Sequence, residues 1–426
     1  MFFKKINNAS VSAILLDALT KSALFGLLAT FTIFMLDSGI QESLASMTVS
    51  CLRSVFLFSA ILAQVLLRKV NYATIIRFCM LLSIGFILGI VVGSESKFIV
   101  IGCLFGFSIL LGIMKSITPI VAVAQAKNNP TLYAQISTLL YVSYNFGAFI
   151  SEGSSSILYN LGGIKYVAIM SVCLESLALA LALYWLPRYK PIEWDSNVLS
   201  DFWDITKSWI VRSGKSISAK QKVFYAILPI FIVDILFYFT YDQIFSVMIV
   251  HTSRMNLTIG GYHVLPSQVQ LINTLCIILF AKSFSNYMKK VNPCTRHRIG
   301  IIFAAVAYLI VAFFEFLLLD SPKSLNCLWD LLPYTIMTFA EILVTVAEFD
   351  IMLICIEKRF SSVGMSVISF AVAISNLLAA IVVSFAKNIG VGYFLFLFSV
   401  LVVAFFISWH FLKGDALPKT DEVLMG

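Results

Sequence analysis

The chain has 426 residues, of which 60% are hydrophobic and only 12% charged, with a mean hydropathy of +0.95. Its repeated apolar stretches, each of roughly twenty residues, have the length that spans hydrocarbon, so the composition is that of a polytopic membrane protein. The formal net charge of +8 does not imply nucleic acid, because such proteins gather Lys and Arg in cytoplasmic loops for topological reasons.

The chain opens on Lys4-Lys5. They precede a segment long enough to stay as an anchor and lacking a small-residue cleavage site, so no cleavable signal is expected. Twelve spans are predicted, near 12–35, 44–67, 73–93, 97–125, 132–158, 164–186, 222–250, 264–290, 297–319, 328–355, 360–384 and 389–413. With the N-terminus in the cytoplasm, the inner loops hold about four times the basic residues of the outer ones, which predicts both termini inside. The sequon Asn256-Leu257-Thr258 then faces outward, where glycosylation is possible. The eight cysteines, Cys51 and Cys79 among them, lie mostly in apolar runs without zinc-site spacing and read as small hydrophobes.

One long polar break divides the spans into six and six. The domains expected are an N-terminal half (1–187), a cytoplasmic linker (188–221) and a C-terminal half (222–426). Within the linker Val198, Phe202, Ile205 and Trp209 recur at helical spacing, which fits either a helix lying on the cytoplasmic surface or a solvated connection. Two six-helix halves joined by an inner loop are the organisation of major facilitator transporters. The fold class expected is therefore all-α and polytopic.

Ionisable groups inside spans cost free energy unless they are paired or hydrated, so they mark candidate function. They are Asp17, Lys21, Arg53, Lys115, Glu175, Asp234, Asp242, Glu315, Glu341, Glu348 and Asp350. Asp17 and Lys21 are four apart with the acid first, which suits an intrahelical ion pair. Lys115 and Glu341 lie in different halves and have no partner at that spacing, so they are expected to meet when a cavity closes and to part when it opens. Arg53 reads either as a substrate-carboxylate contact or as the partner of an acid such as Asp17. Glu175 and Asp234 read as packing groups satisfied by a hydroxyl or carbonyl, and Glu348 and Asp350 as partners of Lys358 or Arg359. His251 and His263 flank an outer loop, and no histidine is expected where a proton relay would sit. No His-rich metal cluster, G-x-S-x-G elbow or P-loop appears, so no enzyme is expected.

Several stretches resemble the proton-coupled oligopeptide transporter family, the peptide and nitrate branch of the major facilitator superfamily. "YFTYDQIFSVMIVHTSRMN…LPSQVQLINTL" with "NPCTRHRIGI" is similar to its seventh and eighth spans. "YVSYNFGAFI" (141–150), "LGIMKSITPIVAVAQ" (111–125) and "TFAEILVTVAEFDIML" (338–353) are similar to its fifth, fourth and tenth. The first-span "ExxERFxYYG" reads "DALTKSALFG" here: Asp17 and Lys21 replace Glu and Arg, Thr20 replaces the second Glu, and Ala23-Leu24-Phe25 removes both tyrosines.

The resemblance implies roles. Asp17, Lys21, Lys115 and Asp242 would serve proton coupling and gating; Asn145, Asn273, Glu341 and Lys115, with Tyr141 and Arg53, would bind substrate. Asn145 and Asn273 read equally as interhelical hydrogen-bond donors. Asp242-Gln243 would line a water-filled pathway.

The expected function is proton-coupled symport of a di- or tripeptide or a related zwitterion by alternating access, with the proton as coupling ion and no other cofactor. The alternatives are a transport-inactive sensor or scaffold, or transport of another solute such as nitrate or an amino acid. The expected partners are a small-molecule substrate and the lipid bilayer. A monomer in the plasma membrane is expected.

Overall fold

A segment of twenty apolar residues surrounded by hydrocarbon has no water to satisfy its amides, and a helix is the one conformation that satisfies them within the segment. The computed structural model describes residues 8–67, 69–123, 130–185, 219–288, 291–355, 361–386 and 388–412, and they are overwhelmingly helical. In chain order the helices are α1 (Asn8–Asp37), α2 (Glu42–Leu66), α3 (Tyr72–Val92), α4 (Lys97–Val123), α5 (Pro130–Trp185), α6 (Ala219–Tyr241), α7 (Val247–Ser253), α8 (Pro266–Met288), α9 (Pro293–Asp320), α10 (Leu331–Cys355), α11 (Ser361–Ser384) and α12 (Val391–Phe411). The only sheet among the described residues is the hairpin β1 (Thr258–Ile259) and β2 (Tyr262–His263), between α7 and α8. The linker helix expected over 198–209 lies outside the described residues.

Nine of the described helical stretches are long and apolar enough to cross a membrane, and Pro266–Ala281 and Ile368–Ser384 are shorter apolar ones. One of the nine, Leu139–Trp185, has 47 residues, enough for two crossings at roughly twenty each. Read so, the set agrees with the twelve spans expected. The break in α5 is confined to two residues. Gly162 has φ −161° and ψ 25°, and Gly163 has φ 64° and ψ −160°. The second of these is a backbone region that essentially only glycine occupies, so a Gly-Gly pair turns the chain without a loop.

Local chemistry sets several helix starts. Asn71 accepts a hydrogen bond from the Ala73 amide (2.8 Å). Asn292 caps α9 by accepting from the Cys294 amide (2.9 Å), with Pro293 at the first helical position.

The chain folds as two units: Met1–Asp195 with Ile259–Ile278, and Ser196–Thr258 with Leu279–Gly426. In the first, α1 packs most extensively on α5, through small residues. A Cβ on Gly26 would stand 2.5 Å from the hydroxyls of Ser151 and Ser155. Ser151 donates to the Ser22 carbonyl, and Ser171 to the Ala23 carbonyl (3.1 Å). Lipid tails are as apolar as leucine, so helices in a bilayer associate through such close backbone approach and not through burial of apolar area. In the second unit α9 packs against α10 and α12, and α6 against α11 and α12.

Candidate functional site

In the first unit the four-residue spacing of Asp17 and Lys21 places both on one face of α1, and they form an ion pair at 2.7 Å. The other oxygen of Asp17 accepts from Thr118 Oγ1 of α4 at 2.6 Å, and the carboxylate is 2% exposed. Lys21 Nζ stands 4.8 Å from the ring centroid of Tyr144 on α5, whose ring meets Phe25 edge-on at 5.3 Å. A tyrosine from a neighbouring helix thus occupies ground where the first-span motif has lost its own. Thr20, in place of the second acid, bonds back to the Leu16 and Asp17 carbonyls (3.1 and 3.2 Å) and brings no charge.

The remaining expected residues of this unit are more dispersed. Lys115 is half-buried on α4, its Nζ 5.0 Å from the Phe56 ring centroid. Asn145 is buried and donates to the Tyr141 carbonyl (2.9 Å) in its own helix, so that bond is intrahelical and not the interhelical one considered above. The Tyr141 side chain is exposed, and Asn273 of α8 is buried. Arg53 acts electrostatically on Glu152, a buried glutamate of α5 that the sequence reading had passed over. Its signal was a lone acid inside an apolar span, masked by the serines of Ser151–Ser156. Glu175, expected to be satisfied by a neighbouring hydroxyl or carbonyl, is fully buried with neither oxygen hydrogen-bonded. Alanine and leucine neighbours along its helix provide no donor.

In the second unit, α6 ends at Tyr241 and the chain tightens into a 3₁₀ turn, Asp242–Phe245, before α7. That turn carries Asp242 inward, where it accepts from Asn376 Nδ2 of α11. Gln243 is fully buried and accepts from Ser246 Oγ (3.4 Å). Both side chains of the pair are buried within the second unit. Glu341 of α10 accepts a 2.5 Å hydrogen bond from Tyr241 Oη.

Two buried charge clusters correct the sequence reading further. His251, expected at an outer loop, is fully buried: Nδ1 lies 2.6 Å from Glu315 Oε1 and Nε2 3.2 Å from Asp330 Oδ1. Arg254 donates to both oxygens of Glu315 (3.1 and 3.0 Å), and Thr252 to Asp330 (2.6 Å). The second cluster is Asp234, His297 and Glu348. His297 Nε2 lies 3.2 Å from Asp234 Oδ1, one atom from each of the three side chains lies within 4.8 Å of the others, and Tyr238 Oη donates to Glu348 Oε2 at 3.0 Å. Asp234 is therefore hydrogen-bonded to a histidine, not to a hydroxyl or carbonyl. Asp350 pairs with Arg296 of α9, whereas Lys358 and Arg359 lie outside the described residues. Histidine had been expected outside the spans; two are inside, held because each finds a carboxylate there.

The chain is similar to solved structures over nearly its whole length. A POT family transporter in complex with 5-aminolevulinic acid matches with a TM-score of 0.83 at 17% identity, covering 95% of this chain and 96% of that one. The peptide transporter POT in complex with sulfate matches at 0.82 and 15%, covering 97% and 96%. The POT family transporter PepTSo, crystallised in meso, matches at 0.81 and 15%, covering 95% and 97%. At these identities the likeness establishes the fold. The PTR2 model of the POT family matches residues 204–394. No curated protein sequence matches the chain.

The fold so defined is all-α and polytopic, that of the POT family transporters to which the chain is similar. Residues 204–394 carry the sequence match to the POT family model, and the motifs quoted above are similar to that family over further spans.

Proposed function

We propose that the chain is a proton-coupled symporter of a small zwitterionic solute, a di- or tripeptide or a compound of similar charge layout, working by alternating access. The observation that carries the reading is the buried Asp17–Lys21 pair locked by Thr118. It stands where the family couples protons, and a proton on Asp17 would remove one partner of a charge pair in a poorly screened setting. The bound 5-aminolevulinic acid of one solved neighbour carries an amine and a carboxylic acid, which supports the zwitterion class. Glu341, oriented by Tyr241, is the acceptor for the substrate ammonium, and Arg53 and Lys115 are the cations for its carboxylate. The monomeric state, the plasma membrane and the cytoplasmic termini are part of the same proposal.

The test is uptake of labelled dialanine and of 5-aminolevulinic acid into proteoliposomes, with and without an inward proton gradient. Gradient-stimulated accumulation of either supports the reading. Uptake of nitrate or of a single amino acid alone would reassign the solute. A second reading, a sensor or scaffold that does not transport, draws on Thr20, whose hydroxyl is spent on its own helix where a second acid would stand. Silence across all these solutes in protein that remains folded would favour it.

A further inference from the structure

The Asp234–His297–Glu348 cluster has spare bonding capacity that neither packing nor the Asp17 pair explains. One ligand-type atom from each residue lies within 4.8 Å of the others, and all three side chains are at most 1% exposed. Three of their polar atoms, Asp234 Oδ2, Glu348 Oε1 and His297 Nδ1, have no hydrogen-bond partner. Buried polar atoms are nearly always paired, so three orphans at one place call for a function. Among the described residues, Tyr238 of α6 bonds to Glu348, Arg298 of α9 acts electrostatically on His297, and Glu341 of α10 acts on Tyr238. Arg298 is directed away, donating to the Ser408 and Leu412 carbonyls.

Two carboxylates close together in a poorly hydrated interior cannot both ionise. Asp234 and Glu348 each offer an oxygen within 4.8 Å of the other, so the pair holds one proton and carries one net negative charge. A neutral His297 with its hydrogen on Nε2 donates to Asp234, which leaves Nδ1 as an open acceptor. We propose that Asp234, Glu348 and His297 form a proton-binding site in the second unit. A second proton, taken at Nδ1, makes the imidazolium and brings the cluster to zero net charge; its release restores the single negative charge. A buried cluster that alternates between charged and neutral favours different packings in its two states, because a lone charge in a poorly screened interior costs more than a neutral set. A metal ion fits less well, since a ligating histidine normally donates its other ring N–H to a second group and Nδ1 here meets none. That this proton takes part in coupling rests on the transport reading above; that the site binds protons does not.

The test is infrared difference spectroscopy with a pH step, on purified full-length protein in nanodiscs, together with histidine-¹⁵N NMR and elemental analysis. A deuterium-sensitive protonated-carboxyl band is expected in the native protein and in His297→Gln, and its loss is expected in both Glu348→Gln and Asp234→Asn. One histidine resonance that responds to the pH step should vanish in His297→Gln. Thermal unfolding identifies any variant that fails to fold, and a folded His297→Gln alone decides the imidazole step. A carboxyl band unchanged in both acid variants, no pH-responsive histidine resonance lost in His297→Gln, or a stoichiometric metal lost in Glu348→Gln would each overturn the site. Its coupling role is read separately: His297→Gln should keep dialanine counterflow and lose gradient-driven accumulation, and unchanged accumulation would refute that role while leaving the spectroscopy to judge proton binding.

Discussion

Buried carboxylates in these helices differ in how many of their oxygens are bonded and by what. Asp17 has both oxygens engaged, by Lys21 and by Thr118. Asp17→Asn should preserve counterflow exchange and abolish accumulation driven by a proton gradient, since the amide keeps the shape and removes the proton acceptor; unchanged accumulation excludes Asp17 from coupling. His251 is the anchoring counterpart. Its two ring nitrogens face two carboxylates, with Arg254 on the first and Thr252 on the second. Removing one partner of a buried charge set strands the others, at a cost of about 3–5 kcal/mol. His251→Ala should therefore lower the thermal unfolding midpoint sharply, whereas Lys323→Ala, at an exposed turn, should lower it far less; equal midpoints would remove the anchoring role.

Helices here sort their faces by size and polarity more than by hydropathy. Along α9, Ile302, Val306, Leu309, Phe313 and Phe316 are exposed at spacings of three and four, while Ala304, Ala305, Tyr308, Val311, Ala312 and Glu315 are buried. The outward row is large and apolar, as lipid contact requires, and the inward row is mainly small or polar. The break in α5 follows a different rule. At Gly163, with φ 64° and ψ −160°, any Cβ imposes strain of about 1–3 kcal/mol. Gly163→Ala should therefore destabilise the protein in denaturant or heat, although nothing lies within 4 Å of the added methyl. Gly102→Ala in α4 has equally open space and no unusual φ, so it should be neutral or mildly stabilising. Equal effects of the two would show that backbone conformation is not the cause.

At the scale of the whole molecule, the proposed function draws on charges in both units. Lys115 lies in the first and Glu341 in the second. Lys115→Gln and Glu341→Gln should each abolish dialanine uptake while the protein remains folded and membrane-inserted. If Glu341 reads an ammonium, the native protein should bind dialanine well and its N-acetyl derivative poorly, and Glu341→Gln should erase that preference. An unaltered preference would detach Glu341 from the amino end and deprive the peptide assignment of its main physical support. Topology has its own check: epitope tags at either terminus should stay inaccessible from outside in intact cells.

Much of this was legible in the sequence because it is local. Hydropathy in a window of twenty residues marks a span, and the break near Gly162 and Gly163 reads as a boundary. A spacing of four between Asp17 and Lys21 defines a pair on one helix. The motifs at 111–125, 141–150 and 338–353 pointed to the family for the same reason. What the sequence left open was which buried polar groups meet. His297 finds Asp234 across 63 positions, and His251 finds Glu315 across 64 and Asp330 across 79. Glu152 and Arg53 meet only when α2 and α5 stand in one unit. Hydrocarbon rewards every apolar side chain alike, so hydropathy by itself leaves no periodic mark of which helix face turns inward. The partner of a buried charge is therefore selected by packing between helices, where an unpaired group is costly and only the tertiary structure determines what lies within reach.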